Sequence, residues 1–105
     1  MIKRSNKYSN HKVDMAGIKF DSKKEAARYR ELQLLEKAGV VADIELQPKY
    51  RIVINDRKVC DYTADFRYIE EGKTIVEDVK GYKTPVYNLK KKLMAAVYGI
   101  EIRET

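Results

Sequence analysis

The chain has one cysteine and one histidine in 105 residues. Cys60 has no second thiol for an internal disulfide and points to a reducing, cytoplasmic compartment. One thiol and one imidazole are too few for a structural zinc site. Any metal is therefore expected to be held by oxygen, which favours magnesium or manganese. No apolar run approaches the roughly 18 residues of a membrane span. No hydrophobic stretch of signal-peptide type opens the sequence, and no membrane partner is expected. There is no P-loop, no dinucleotide fingerprint and no nucleophile–base pair, so a small-molecule enzyme with an organic cofactor lacks support. No internal repeat and no helix-turn-helix is visible.

What the chain does have is charge, unevenly placed. Hydrophobic residues make up 44% and charged ones 36%, a globular mixture sized for one sheet with two or three covering helices. The formal net charge is +6. Lys3, Arg4, Lys7 and Lys12 crowd the start without an acid, and Lys80, Lys83, Lys90, Lys91 and Lys92 do the same between 80 and 99. Acids concentrate between these two basic ends. That distribution suits a polyanion gripped over a cation site. It equally suits a solvated tail and a solvated helix face.

Residues 1–16 are polar, basic and aperiodic, and read as a flexible basic arm; 17–105 read as a single domain. Ser22 and Glu25 have capping-box spacing and open a helix through Leu32, Leu34 and Leu35, with Gly39 as its stop. Strands follow over Asp43–Gln47, halted by Pro48, and over Tyr50–Ile54. Cys60, Tyr62, Ala64, Phe66 and Tyr68 alternate with polar residues, which predicts one continuous strand. After the turn at Glu71-Gly72, Thr74–Lys80 gives another. Thr84 and Pro85 cap and open a second helix, with Val86, Leu89, Leu93 and Val97 as its apolar stripe and Gly99 as its end. Ile100–Arg103 closes the chain as a short strand. The expected fold is α+β: a mixed sheet of four or five strands in an α/β/α sandwich.

The chemistry-bearing residues lie on the two middle strands. Side chains alternate along a strand, so Asp78 and Lys80 share a face about 7 Å apart. Asp65 sits inside an otherwise good strand, where aspartate is a poor strand former. Pairing through the Glu71-Gly72 turn would bring Asp65 and Asp78 within reach of one ion. Two adjacent carboxylates repel unless a divalent cation neutralises them. A cation so held would polarise a phosphodiester and acidify a bound water, and a neighbouring lysine would stabilise the developing charge. The bland alternative is a cross-strand acid pair with a lysine nearby, which is common by chance.

Asp65 within Ala64-Asp65-Phe66, followed by Glu77-Asp78-Val79-Lys80-Gly81, resembles the PD-(D/E)XK nuclease core, a restriction-endonuclease-like fold. The ordered set Lys7-Tyr8, Gly17 to Ala26, Gln47-Pro48, Ala64-Asp65-Phe66 and Glu77 to Gly81 is similar to a group of short phage proteins suspected to be nucleases. The resemblance implies that Asp65 and Asp78 bind Mg2+ (Mn2+ substituting), with the Val79 carbonyl as an additional ligand. It makes Lys80 the catalytic lysine, Glu25 a helix-borne metal ligand and Gln47 a supporting residue. Two departures stand out: Ala64 replaces the motif proline, and Glu77 adjoins Asp78. Glu77 should point to the opposite face, leaving Asp78 as the ligand. Glu25 has a purely structural reading too, as the capping-box acid.

Past Lys80, a helix starting at Thr84 would aim its N-terminal dipole at a phosphate. Lys83, Thr84 and Tyr87 would stand at its entrance, with Lys90 and Lys91 on DNA backbone, though Lys91 and Lys92 serve equally well as a solvent face. The expectation is a Mg2+-dependent endodeoxyribonuclease, structure-selective in the manner of a Holliday junction resolvase and homodimeric on DNA. The rival is a catalytically silent DNA-binding or interaction module on the same fold.

Overall fold

The structure is a computed structural model, and it describes residues 13–15, 18–79 and 83–105. The expected arm falls outside these as far as residue 12. Residues 16 and 17, Lys80, Gly81 and Tyr82 fall outside them too, as do the side chains of residues 13–15 and 18. Val13–Met15 (β1) pairs antiparallel with Ile18–Phe20 (β2). Helix α1 (Lys23–Lys37) begins where the sequence places it, because the Ser22 hydroxyl accepts the Glu25 N–H at 3.1 Å. This satisfies one of the orphan donors of the first turn. Ser22→Ala is expected to lower unfolding free energy by about 1 kcal/mol. Chemical denaturation checks this, and an unchanged midpoint would mean the cap is redundant.

Strands β3 (Val41–Leu46), β6 (Phe66–Glu70), β7 (Lys73–Asp78) and β8 (Arg103–Glu104) form a four-stranded sheet in the order β3-β6-β7-β8. β6 pairs antiparallel with both β3 and β7, and β8 runs parallel to β7, so the sheet is mixed, as expected of this α+β fold. β4 (Lys49–Ile54) and β5 (Arg57–Thr63) pair separately as a hairpin. Two apolar cores lie on opposite faces. Phe20, Ala26, Leu32, Val41, Phe66 and Tyr68 join α1 to one face. Ile52, Tyr62, Ala64, Val76, Met94 and Ile102 join the hairpin and helix α2 (Pro85–Tyr98) to the other.

Two expectations need correction. The alternation from Cys60 to Tyr68 belongs to two strands in two sheets, β5 and β6, divided at Ala64-Asp65. Opposite that break, Gln47-Pro48 divides β3 from β4. The Gln47 N–H donates to the Asp65 carbonyl at 2.9 Å and the Ala64 N–H to the Pro48 carbonyl at 3.0 Å, which ties the two breaks together. One long antiparallel ribbon is thus bent at Asp65. Alternation cannot reveal such a bend, because inward and outward positions keep their parity through it.

The second correction concerns α2. Val86 and Leu89, expected to face the core, are 62% and 57% exposed, and Val97 is exposed as well, while Leu93 is half-buried. Tyr87 and Met94 are buried instead, one helical face away, with Lys90 and Lys91 half-buried beside them. The reason is chemical: the Tyr87 hydroxyl has a partner there, Glu104 Oε2 at 2.7 Å, and lysine stems can cover apolar surface while their ammonium groups reach outward.

Candidate metal centre at the bend of the ribbon

Asp65 occupies the bend, where β5 leaves one sheet and β6 enters the other. β6 pairs with β7 with Phe66 opposite Glu77, so the register places Asp65 next to Asp78. The backbone holds this tightly: the Asp65 N–H donates to the Glu77 carbonyl at 3.1 Å, and the Val79 N–H donates to Asp65 Oδ2 at 2.7 Å. Asp78 is buried and accepts a hydrogen bond on Oδ2 from the Tyr62 hydroxyl. From the other side the start of α1 brings Glu25, also buried, whose Oε1 accepts the Asp21 N–H at 2.8 Å. Glu25 therefore ties down the residue that precedes the cap and at the same time stands beside Asp65.

The three acids meet at Asp65. Burial pushes its carboxyl up to about 7, and the Glu25 carboxyl, by hydrogen bond and by charge, adds to the rise. The Val79 N–H and Asp78 pull the other way without cancelling it. Like charges brought together in a partly buried place resist ionising together. Among the described residues, however, no three His, Cys, Asp or Glu side chains stand as a ready-made cage for a metal ion. Glu25, Asp65 and Asp78 lean on one another and on protein donors. As a donor set they are all oxygen, which fits a hard divalent cation and not zinc.

The raised Asp65 carboxyl has a testable consequence. The unfolded chain releases this proton near pH 3.8 and the folded one near 7, so between those values the folded state holds more protons. Its contribution to stability is complete below the lower value and is lost as pH rises through the upper one. In chelator, the melting temperature should fall from pH 5 to pH 8 by the equivalent of about 2 kcal/mol, after discounting for partial exposure. Asp65→Asn should flatten that slope. Parallel profiles for the two proteins would contradict the assignment.

Glu77 lies on the opposite face from Asp78, as the alternation requires. It is fully buried and accepts from Arg28 Nε at 2.7 Å and Nη2 at 3.0 Å. Tyr68 and the Thr105 hydroxyl also donate to it, the latter at 3.0 Å. Burial pushes its carboxyl up, but Arg28 and Tyr68 outweigh this and hold it below its ordinary value. It is the acid of a buried ion pair that joins α1 to β7.

Of the remaining expected residues, Gln47 is exposed and joins the site through its backbone, with φ at +51° turning its N–H toward Asp65. Val79 contributes its N–H. Thr84 caps α2 by accepting the Tyr87 N–H at 3.0 Å. Lys83 and Lys91 both reach Glu104, at 2.8 and 3.2 Å, and hold that carboxyl down to about 2 together with the Tyr87 hydroxyl. Lys90 is half-buried. Lys80 lies outside the described residues. Sequence reasoning missed Arg28, Tyr62 and Glu104. No local signal points to them, since their partners lie 49, 16 and, for Glu104 with Tyr87, 17 residues away.

An α+β domain whose four-stranded sheet and β4–β5 hairpin meet at a cluster of carboxyls is the class that fold and geometry define. The chain belongs to the DUF1064 family, described as proteins of unknown function, whose model matches residues 5–105. No curated protein and no solved structure matches it.

Proposed function

We propose that this protein is a metal-dependent DNA endonuclease of PD-(D/E)XK type. The observation that carries the reading is the meeting of Glu25 and Asp78 at the raised Asp65 carboxyl, contributed by α1, β7 and the bend of the ribbon. Such a cluster on a chain of net charge +6 suits a cation poised against a polyanion. Asp65, Asp78 and Glu25 would hold Mg2+, with Mn2+ able to replace it and the Val79 carbonyl as a further donor. Bound there, the ion supplies charge neutralisation at the scissile phosphate and an acidified water. Lys80 would stabilise negative charge beside that water. Tyr62 and the Val79 N–H keep Asp78 and Asp65 in place, and Glu77 with Arg28 anchors the strand that carries Asp78.

With no helix-turn-helix to read bases, structure-selective cleavage by a homodimer is the form proposed, each copy addressing one strand of a branched substrate in phage DNA recombination or processing. The test is incubation of the purified protein with supercoiled plasmid, a four-way junction and a flap, in Mg2+, Mn2+ or chelator. Cleavage that requires the ion is the expected result. Binding without cleavage in either metal would favour the silent DNA-binding module.

A further inference from the structure

Each of the three clustered acids has one oxygen fixed by a donor from its own chain. Glu25 Oε1 accepts from the Asp21 N–H and Asp65 Oδ2 from the Val79 N–H. Those two donors are backbone. The third is a side chain: the Tyr62 hydroxyl donates to Asp78 Oδ2. Tyr62 is 3% exposed, on β5, in the core shared by Ile52, Ala64 and Met94. Its ring is held by packing, so its hydroxyl is a rigid donor and not a flexible surface group.

We infer that Tyr62 is a positioning residue for the metal centre, fixing the Asp78 carboxylate in the orientation that presents it to the cation. This rests on the reading under Proposed function. Donors behind a ligating carboxylate fix its rotamer and tune its basicity, and their loss typically lowers metal affinity about 10- to 100-fold. Tyr68 provides the internal control. It is equally buried and donates to a carboxylate, but on the opposite face, at Glu77.

The test measures Mn2+ binding to the full chain by electron paramagnetic resonance, comparing wild type, Tyr62→Phe and Tyr68→Phe at one pH. Tyr62→Phe should weaken Mn2+ binding about 10-fold or more, and its cleavage should be rescued by raised metal concentration. Tyr68→Phe should bind Mn2+ as wild type does. Equal affinity in Tyr62→Phe and wild type overturns the inference while leaving the metal centre standing. A wild-type protein that binds no Mn2+ overturns both. Should Tyr62→Phe fail to fold, 3-fluorotyrosine at position 62 keeps ring and hydroxyl, and its fluorine resonance should shift when Mg2+ is added. An unmoved resonance at saturating metal overturns the inference.

Discussion

Asp78→Asn is expected to lower cleavage of a branched or supercoiled substrate by about a thousandfold or more, since the loss of a group stabilising charge in the transition state costs about that much. The substitution keeps volume and a hydrogen-bond acceptor for Tyr62, so the fold should survive it. Asp65→Asn should show the same loss of activity with a further signature. The wild-type Asp65 carboxyl is raised by burial and by Glu25, so in the absence of metal its charge opposes folding at neutral pH. Removing that charge should leave the metal-free protein at least as stable as wild type at pH 8. Loss of activity with unchanged or higher melting temperature is what a site built against its own stability predicts. Retained cleavage in both variants would remove these residues from the chemistry.

Arg28→Ala carries the largest expected effect on stability. Glu77 has no exposed surface and takes a two-pronged contact from Arg28. Without the guanidinium a buried carboxylate keeps hydroxyl donors but loses its counter-charge, which costs about 3 to 5 kcal/mol. In a domain of this size that corresponds to a fall of more than about 12 °C in melting temperature. The pH dependence distinguishes this cause from lost packing. In wild type Arg28 and Tyr68 hold the Glu77 carboxyl below 4.5, so its contribution is present above that value and is lost as pH falls. In Arg28→Ala burial acts without its main opponent and raises the carboxyl, so the variant should lose stability as pH rises. The gap to wild type should therefore narrow near pH 4. Replacing both partners by leucine should recover much of the loss, because no stranded charge remains. An equal deficit at pH 4 and pH 8 would mean the pair is not what holds α1 to β7.

The parts legible in the sequence are those whose causes are local. Ser22 with Glu25, Thr84 with Pro85, and Gly99 at φ +69° mark helix ends because capping chemistry acts over a few residues. The Glu71-Gly72 hairpin was legible for the same reason, and it set the register that brings Asp65 beside Asp78. The split at Asp65 was not legible, because a ribbon that bends between two sheets keeps its alternation. The α2 stripe misled because hydrophobicity ranked Val86 and Leu89 above Tyr87, whereas the fold offered the Tyr87 hydroxyl a carboxylate. That Asp78 and Glu77 face opposite ways is readable as parity along a strand, but the ion pair that occupies Glu77 is not.

The account stands on Glu25, Asp65 and Asp78 taking up one divalent cation together. A crystal structure of the protein grown in Mn2+, with data collected at the manganese edge, tests this most directly. The account predicts an anomalous peak within about 2.5 Å of carboxylate oxygens from Asp65 and Asp78, with Glu25 turned toward the same ion. Full-occupancy Mn2+ elsewhere, with those three carboxyls still hydrogen-bonded to one another, would contradict it.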